Sequence, residues 1–152
     1  MKSRYSPLAV AVSLVVFALA LAVSPALADG VYHSQHVALA PVDDFPLRSG
    51  FVENIHANGP KIYAHENYVL NGAAPNTTYD VFLLAHIDPL CEIPILALNT
   101  ASLTTNVAGN GKAQVVLSPE QVPPPTTLYL RWELRSAGGP VYRTACSMVV
   151  LD

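Results

Sequence analysis

The chain has 152 residues, and its eight Lys or Arg and eleven Asp or Glu give a formal net charge of −3. This length fits a single domain after removal of a leader. The acidic balance disfavours nucleic acid as a partner, because phosphate binding requires clustered Lys and Arg.

The amino terminus has the layout of a secretory signal peptide. Lys2 and Arg4 precede a small and apolar stretch from Leu8 to Val23, and Ala26 and Ala28 supply small side chains at positions −3 and −1 for cleavage after Ala28. The apolar stretch is shorter than the roughly 20 residues that span a bilayer, although a retained amino-terminal anchor is the alternative. We predict that residues 1–28 are removed and that the protein is secreted or lies in the periplasm or cell envelope, with no membrane span after cleavage.

Residues 29–47 form an extended N-terminal segment with weak strand signals, including one predicted strand at 34–40. Our hypothesis is that this segment is an arm that pairs with an edge strand of a neighbouring copy. The partners expected for the protein are therefore a protein or glycan at the cell surface, or a second copy of the chain.

Residues 48–152 are predicted to be one all-β domain. Short runs rich in β-branched and aromatic residues alternate with Gly, Pro and Asn, and this pattern is typical of an antiparallel sandwich. The predicted strands in this domain are 49–57, 61–70, 78–88, 94–104, 111–118, 127–136 and 140–151.

Two of these strands have distinctive patterns. In 127–136, Leu128, Leu130, Trp132 and Leu134 alternate with polar residues, which predicts one dry face and one wet face. The run 81–85 is apolar at every position and therefore predicts a central strand covered on both faces.

Turn residues separate the strands. Residues 108–111 and 136–139 contain glycines that tolerate positive φ, so each is predicted to reverse the chain between neighbouring strands. The segment 118–125 contains three consecutive prolines and is predicted to be a stiff crossover loop, with a proline-rich ligand for a partner as the alternative.

The spacing Ala73-x-Pro75-x-Thr77-x-Tyr79 resembles a stretch of fibronectin type III domains. In that family the Tyr forms a tyrosine corner, in which the phenol hydroxyl bonds backbone upstream and fixes a crossover between sheets. The resemblance covers about 15 residues and implies an immunoglobulin-like antiparallel β-sandwich of about seven to eight strands. It also implies a structural corner at Pro75, Thr77 and Tyr79. A resemblance in fold of this kind does not indicate any biochemical activity.

The predicted mature chain has two cysteines, Cys91 and Cys146. Export favours a disulfide between them, and two buried free thiols are the alternative. Neither residue lies in a C-x-x-C spacing that would indicate a redox or zinc site.

All five histidines lie between residues 33 and 86. Imidazoles with nearby carboxylates suit Cu or Zn, so His33, His36, His65 and His86 are candidate metal ligands. A strand would place His33 and His36 on opposite faces, however, and surface or hydrogen-bonded histidines are the competing interpretation.

No nucleophile motif occurs, and the adjacent Asp43 and Asp44 resemble a solvated turn. We therefore predict a non-catalytic secreted or cell-envelope module with a structural, adhesive or binding role and no cofactor. The alternatives are an extracytoplasmic Cu- or Zn-binding protein that uses the His-rich half and an enzyme of unrecognised type.

Overall fold

The structure is a computed structural model that describes residues 33–56, 64–118 and 126–151. The predicted signal peptide, the first residues of the N-terminal segment and most of the proline-rich loop lie outside these ranges. Within them, no helix is long and apolar enough to cross a membrane.

The described residues form an all-β, antiparallel structure, which confirms the predicted class. The nine strands are β1 His33–Pro41, β2 Ser49–His56, β3 Ala64–Asn71, β4 Thr78–His86, β5 Pro94–Thr104, β6 Gly111–Leu117, β7 Thr126–Ser136, β8 Gly139–Thr144 and β9 Ser147–Leu151. The predicted strand 140–151 is two strands, β8 and β9. They are separated at Ala145 and Cys146, where the disulfide described below is attached.

The strands follow the order β5-β4-β7-β8-β1-β2-β3-β6, and β9 extends the ladder beside β7. The two ends of this order, β5 and β6, lie in contact, so the sheet is nearly closed and barrel-like. This order differs from that of an immunoglobulin constant domain, where the third strand lies in the opposite sheet from the first two. Here β3 pairs with β2, which pairs with β1.

Strand β1 joins the two halves of the sheet. Residues 33–38 pair with β2, and residues 39–41 pair with β8. The strand predicted inside the N-terminal segment is thus part of the sheet of its own chain. This differs from the predicted arm, because the fold itself provides the backbone partners of β1.

The core lies between the two halves. Leu128, Leu130, Trp132 and Leu134 are all buried, as the alternation in β7 predicted. They face Val52, Tyr68 and Leu70 from β2 and β3, within one cluster. Strand β4 lies between β5 and β7, which confirms its predicted central position.

The connection between β3 and β4 contacts the connection between β5 and β6. Gly109 has a φ of +75°, and its carbonyl accepts a hydrogen bond from Ala73 N–H at 3.0 Å. The turn containing Gly109 reverses the chain between β5 and β6, which lie in contact although no ladder pairs them among the described strands. The reversal at residues 136–139 does connect the paired strands β7 and β8.

Candidate binding surface

The connection between β4 and β5, residues 87–93, is attached to the sheet by a disulfide. Cys91 and Cys146 are bonded with an S–S distance of 2.02 Å and a Cα–Cα distance of 5.8 Å, which confirms the predicted bridge. Cys91 is buried. The bridge links this loop to the residues between β8 and β9, so the loop cannot move freely from the sheet.

Arg131 of β7 provides a second attachment. Its Nη1 donates to the carbonyl oxygen of Cys91 at 3.0 Å, and its Nη2 donates to that of Leu90 at 3.2 Å. Arg131 belongs to the face of β7 that was predicted to be wet, and it is half-buried. The prediction failed at this position because the loop covers part of that face.

Asp88 orders the loop from within. Its Oδ1 accepts hydrogen bonds from the backbone N–H groups of Leu90 at 3.0 Å and Glu92 at 3.2 Å. Desolvation opposes ionisation, but the backbone hydrogen bonds and the nearby His86 together lower the pKa of Asp88. The carboxylate thus stabilises a tight turn of the kind that Asp commonly forms.

Four large aliphatic side chains project from this loop and the start of β5. Ile87, Leu90, Ile93 and Ile95 are 70%, 67%, 73% and 56% exposed. They line a cavity of about 380 Å³ together with Asp88 and Glu92. We call these four residues the apolar loop surface. Scattered exposed aliphatics are normal in soluble proteins, whereas a contiguous group of them marks an interaction surface.

The core contains a buried carboxylate, Glu66, which sequence reasoning considered only as a neighbour of the candidate metal ligands. Glu66 is fully buried, and its Oε2 accepts hydrogen bonds from Trp132 Nε1 at 3.0 Å and from the hydroxyl of Tyr68. The Tyr68 hydroxyl also lies 2.8 Å from Thr100 Oγ1. Desolvation raises the pKa of Glu66 despite these donors, because burial penalises the charged form.

A signal for this position was present in the sequence. Glu66 alternates with Tyr68 and Leu70, so it shares their face on a strand. The same face of β2 carries Asn54, which lies directly opposite Glu66 and is also fully buried.

The structure does not bring together His36, His65 and His86, the candidate metal ligands whose side chains it describes. His36 is exposed and packs on Phe51 with ring centroids 4.2 Å apart, whereas His65 is exposed on β3. His86 is buried on β4, in the other half of the sheet. Within the described ranges, no group of three or more His, Cys, Asp or Glu side chains is placed to hold a metal ion.

The remaining histidines are described by their backbone alone. His33 pairs with His56 at the end of the β1–β2 ladder. Metal binding through His33 stays a prediction.

The predicted corner residues lie where β4 begins. Tyr79 is buried and packs against Tyr142 with ring centroids 5.4 Å apart and ring planes tilted by 56°, and Thr77 Oγ1 donates to the carbonyl oxygen of Pro75 at 2.9 Å. The hydroxyl of Tyr142 donates to the carbonyl oxygen of Pro46 at 2.7 Å. Burial raises the pKa of Tyr142, and the proximity of Tyr79 raises it further. A bond from the Tyr79 hydroxyl to the preceding turn, which defines a tyrosine corner, stays a prediction.

Comparison of the chain with models of protein families, with curated proteins and with solved structures found no match.

Proposed function

We propose that this protein is a non-catalytic, extracytoplasmic binding module that recognises another protein through the apolar loop surface. Its role is structural or adhesive, in secreted form or in the cell envelope. The observation that carries the proposal is the grouping of Ile87, Leu90, Ile93 and Ile95, each more than half exposed, on the attached loop and the adjoining start of β5.

The attachment of the loop supports a binding role. Docking on a flexible loop costs conformational entropy, and this cost falls when the loop is already ordered in the free protein. The disulfide, the two hydrogen bonds from Arg131 and the turn at Asp88 all restrict this loop. Asp88 and Glu92 lie beside the aliphatic side chains, so the matching partner has an apolar centre with a polar or basic rim.

The location outside the cytoplasm rests on the disulfide and the predicted signal peptide. Disulfides persist in secreted and periplasmic proteins, whereas thiols in the cytosol are kept reduced. A module that works under those conditions benefits from a bridge that keeps its contact loop in place.

A non-catalytic role agrees with the positions of the residues that the sequence offered for catalysis. Asp43 and Asp44 are exposed in the connection between β1 and β2, and the two cysteines are bonded to each other. We also retain a relation to the immunoglobulin-like sandwiches as a proposal that rests on the stretch around Tyr79.

Site-specific cross-linking in the producing cell tests the proposal. A photoreactive benzophenone amino acid is placed at Ile93, and the matched control carries it at Val107, which is 79% exposed in the turn between β5 and β6. We expect illumination to give a discrete protein adduct from position 93 and none from position 107. Equal labelling at both positions, or no adduct at position 93, would contradict the proposal.

A further inference from the structure

A row of three polar side chains crosses the inner face of the sheet. The ladders place Gln35 of β1 opposite Asn54 of β2, and Asn54 opposite Glu66 of β3. Directly opposite residues of antiparallel strands have Cβ atoms about 4.5–5.5 Å apart, so the three side chains are immediate neighbours. Asn54 and Glu66 are fully buried, and Gln35 is half-buried.

The outer ends of this row have hydrogen-bond partners, whereas its middle has none. Gln35 Nε2 donates to the carbonyl oxygen of Met148 at 2.9 Å, and Glu66 Oε2 accepts from Tyr68 and Trp132. Four other buried atoms in the row have no partner: Gln35 Oε1, Asn54 Oδ1, Asn54 Nδ2 and Glu66 Oε1. Buried polar atoms in proteins are nearly always hydrogen-bonded, to protein or to ordered water.

We propose that Gln35, Asn54 and Glu66 form an internal hydration site, which binds one or two water molecules that bridge the three side chains inside the fold.

The hydrogen-bonding capacity of the four atoms determines which molecule can bind between them. Two are amide oxygens that accept hydrogen bonds, and Asn54 Nδ2 donates them. Glu66 Oε1 is a carboxyl oxygen that receives no donor from the protein, because Tyr68 and Trp132 both donate to Oε2. A molecule that satisfies all four atoms must both donate and accept hydrogen bonds within a few ångströms, as water does. A metal or ammonium ion would contact the oxygens and leave Asn54 Nδ2 without a partner.

The fold provides a route for exchange with solvent. Residues 33–38 of β1 pair with β2, β9 pairs with β7, and no ladder between β1 and β9 occurs among the described strands. We call the unpaired boundary between β1 and β9 the seam. The side chain of Gln35 crosses it and donates to the backbone of Met148 on β9. Water can therefore exchange through the seam without separation of any strand pair.

Oxygen-17 magnetic relaxation dispersion of the mature protein tests this proposal, because it detects water held inside a protein for longer than the protein tumbles. We expect a dispersion for the wild type that is lost in Asn54→Leu, which removes both amide atoms at similar volume. Asn67→Leu is the matched control, since Asn67 lies on the outer face of β3, where its amide donates to Glu53 at 3.1 Å. This control is expected to keep the dispersion.

A crystal structure of the wild type provides a measurement that does not depend on the folding of a variant. We expect ordered water within about 3.2 Å of both amide atoms of Asn54. Three results would overturn the proposal. They are a dispersion that Asn54→Leu does not change, a direct hydrogen bond from Asn54 to Glu66 or Gln35 with no intervening water, and a bound ion in place of water.

Discussion

Folding removes the carboxyl group of Glu66 from water and leaves it with two donors on one oxygen. The folded protein therefore holds a proton on Glu66 to higher pH than the unfolded chain, in which the pKa is near 4.5. By linkage, the stability that this proton contributes is fully present below the unfolded pKa. It is lost as the pH rises through the higher pKa of the folded state.

Urea denaturation over a series of pH values checks this expectation. We predict that the free energy of unfolding of the wild type falls, relative to that of Glu66→Gln, as the pH rises above about 4.5. Glu53→Gln, on the outer face of β2, is the control and is expected to follow the wild type. The same pH dependence in Glu66→Gln and in the wild type would contradict the burial argument.

Gly109 is constrained by both its backbone conformation and its surroundings. A Cβ atom there would lie 2.1 Å from the carbonyl oxygen of Ala73, and the φ of +75° is unfavourable for any side chain. We predict that Gly109→Ala lowers the free energy of unfolding by about 2 kcal/mol or more. Gly138→Ala is the matched control, because nothing lies within 4 Å of its added Cβ. Equal stability of the two variants, measured by urea denaturation, would show that the turn tolerates the side chain.

At the scale of elements, the disulfide connects the β4–β5 loop to the break between β8 and β9. The two cysteines are 55 residues apart. Closing a loop of this length restricts the unfolded chain and contributes about 4 kcal/mol in the entropic model. We therefore predict that the double variant Cys91→Ala/Cys146→Ala unfolds at markedly lower urea concentration than the oxidised wild type.

Limited proteolysis gives a local measurement of the same effect. Cleavage between residues 87 and 93 is expected to accelerate in the double variant and in the reduced wild type, with little change in β2 and β3. As the control, a reductant should leave the double variant unaffected. If cleavage in all forms begins elsewhere, the bridge is not what holds this loop.

Elements with strict alternation could be predicted from the sequence, because one buried face specifies both the strand and its register. The strand β7 shows this in Leu128, Leu130, Trp132 and Leu134. Its other face could not be predicted in the same way. Arg131 is covered by a loop from a distant part of the chain, and no periodicity within β7 encodes that contact.

The candidate surface was predicted only in part. The pairing of Cys91 with Cys146 was predicted from the expected signal peptide and the cysteine count, and the structure confirms it. The exposure of Ile93 and Ile95 could not be predicted, because isolated apolar residues read as core positions until the neighbouring strands are known. Hydropathy alone does not distinguish a buried isoleucine from one on a binding loop.

At the scale of the whole molecule, the closure of the sheet depends on β1. Removing it would expose the edges of β2 and β8 together and would take Leu39 from the core. We predict that a chain starting at Arg48 loses the near-ultraviolet circular dichroism of its packed aromatic residues, whereas a chain starting at Asp29 keeps it. A native spectrum from the shorter chain would mean that the rest of the sheet is stable without β1.

The strand order was beyond prediction for a related reason. The pairing of β1 with β8 joins residues 39–41 to residues 142–144, and nothing in either segment specifies the other. Short apolar strands pair acceptably with many others, so the choice is made by the packing of the entire core. The fold class could therefore be predicted from the sequence, whereas the strand order that closes the sheet could not.

The pairing of β1 with β8 also affects how the protein is made. Synthesis proceeds from the amino terminus, so residues 39–41 of β1 must wait for β8, which is produced about a hundred residues later. Until then, the exposed edge and apolar side chains of β1 are open to wrong partners, as in other folds dominated by non-local contacts. The sheet of a nascent chain of this kind can therefore close only after β8 has been synthesised.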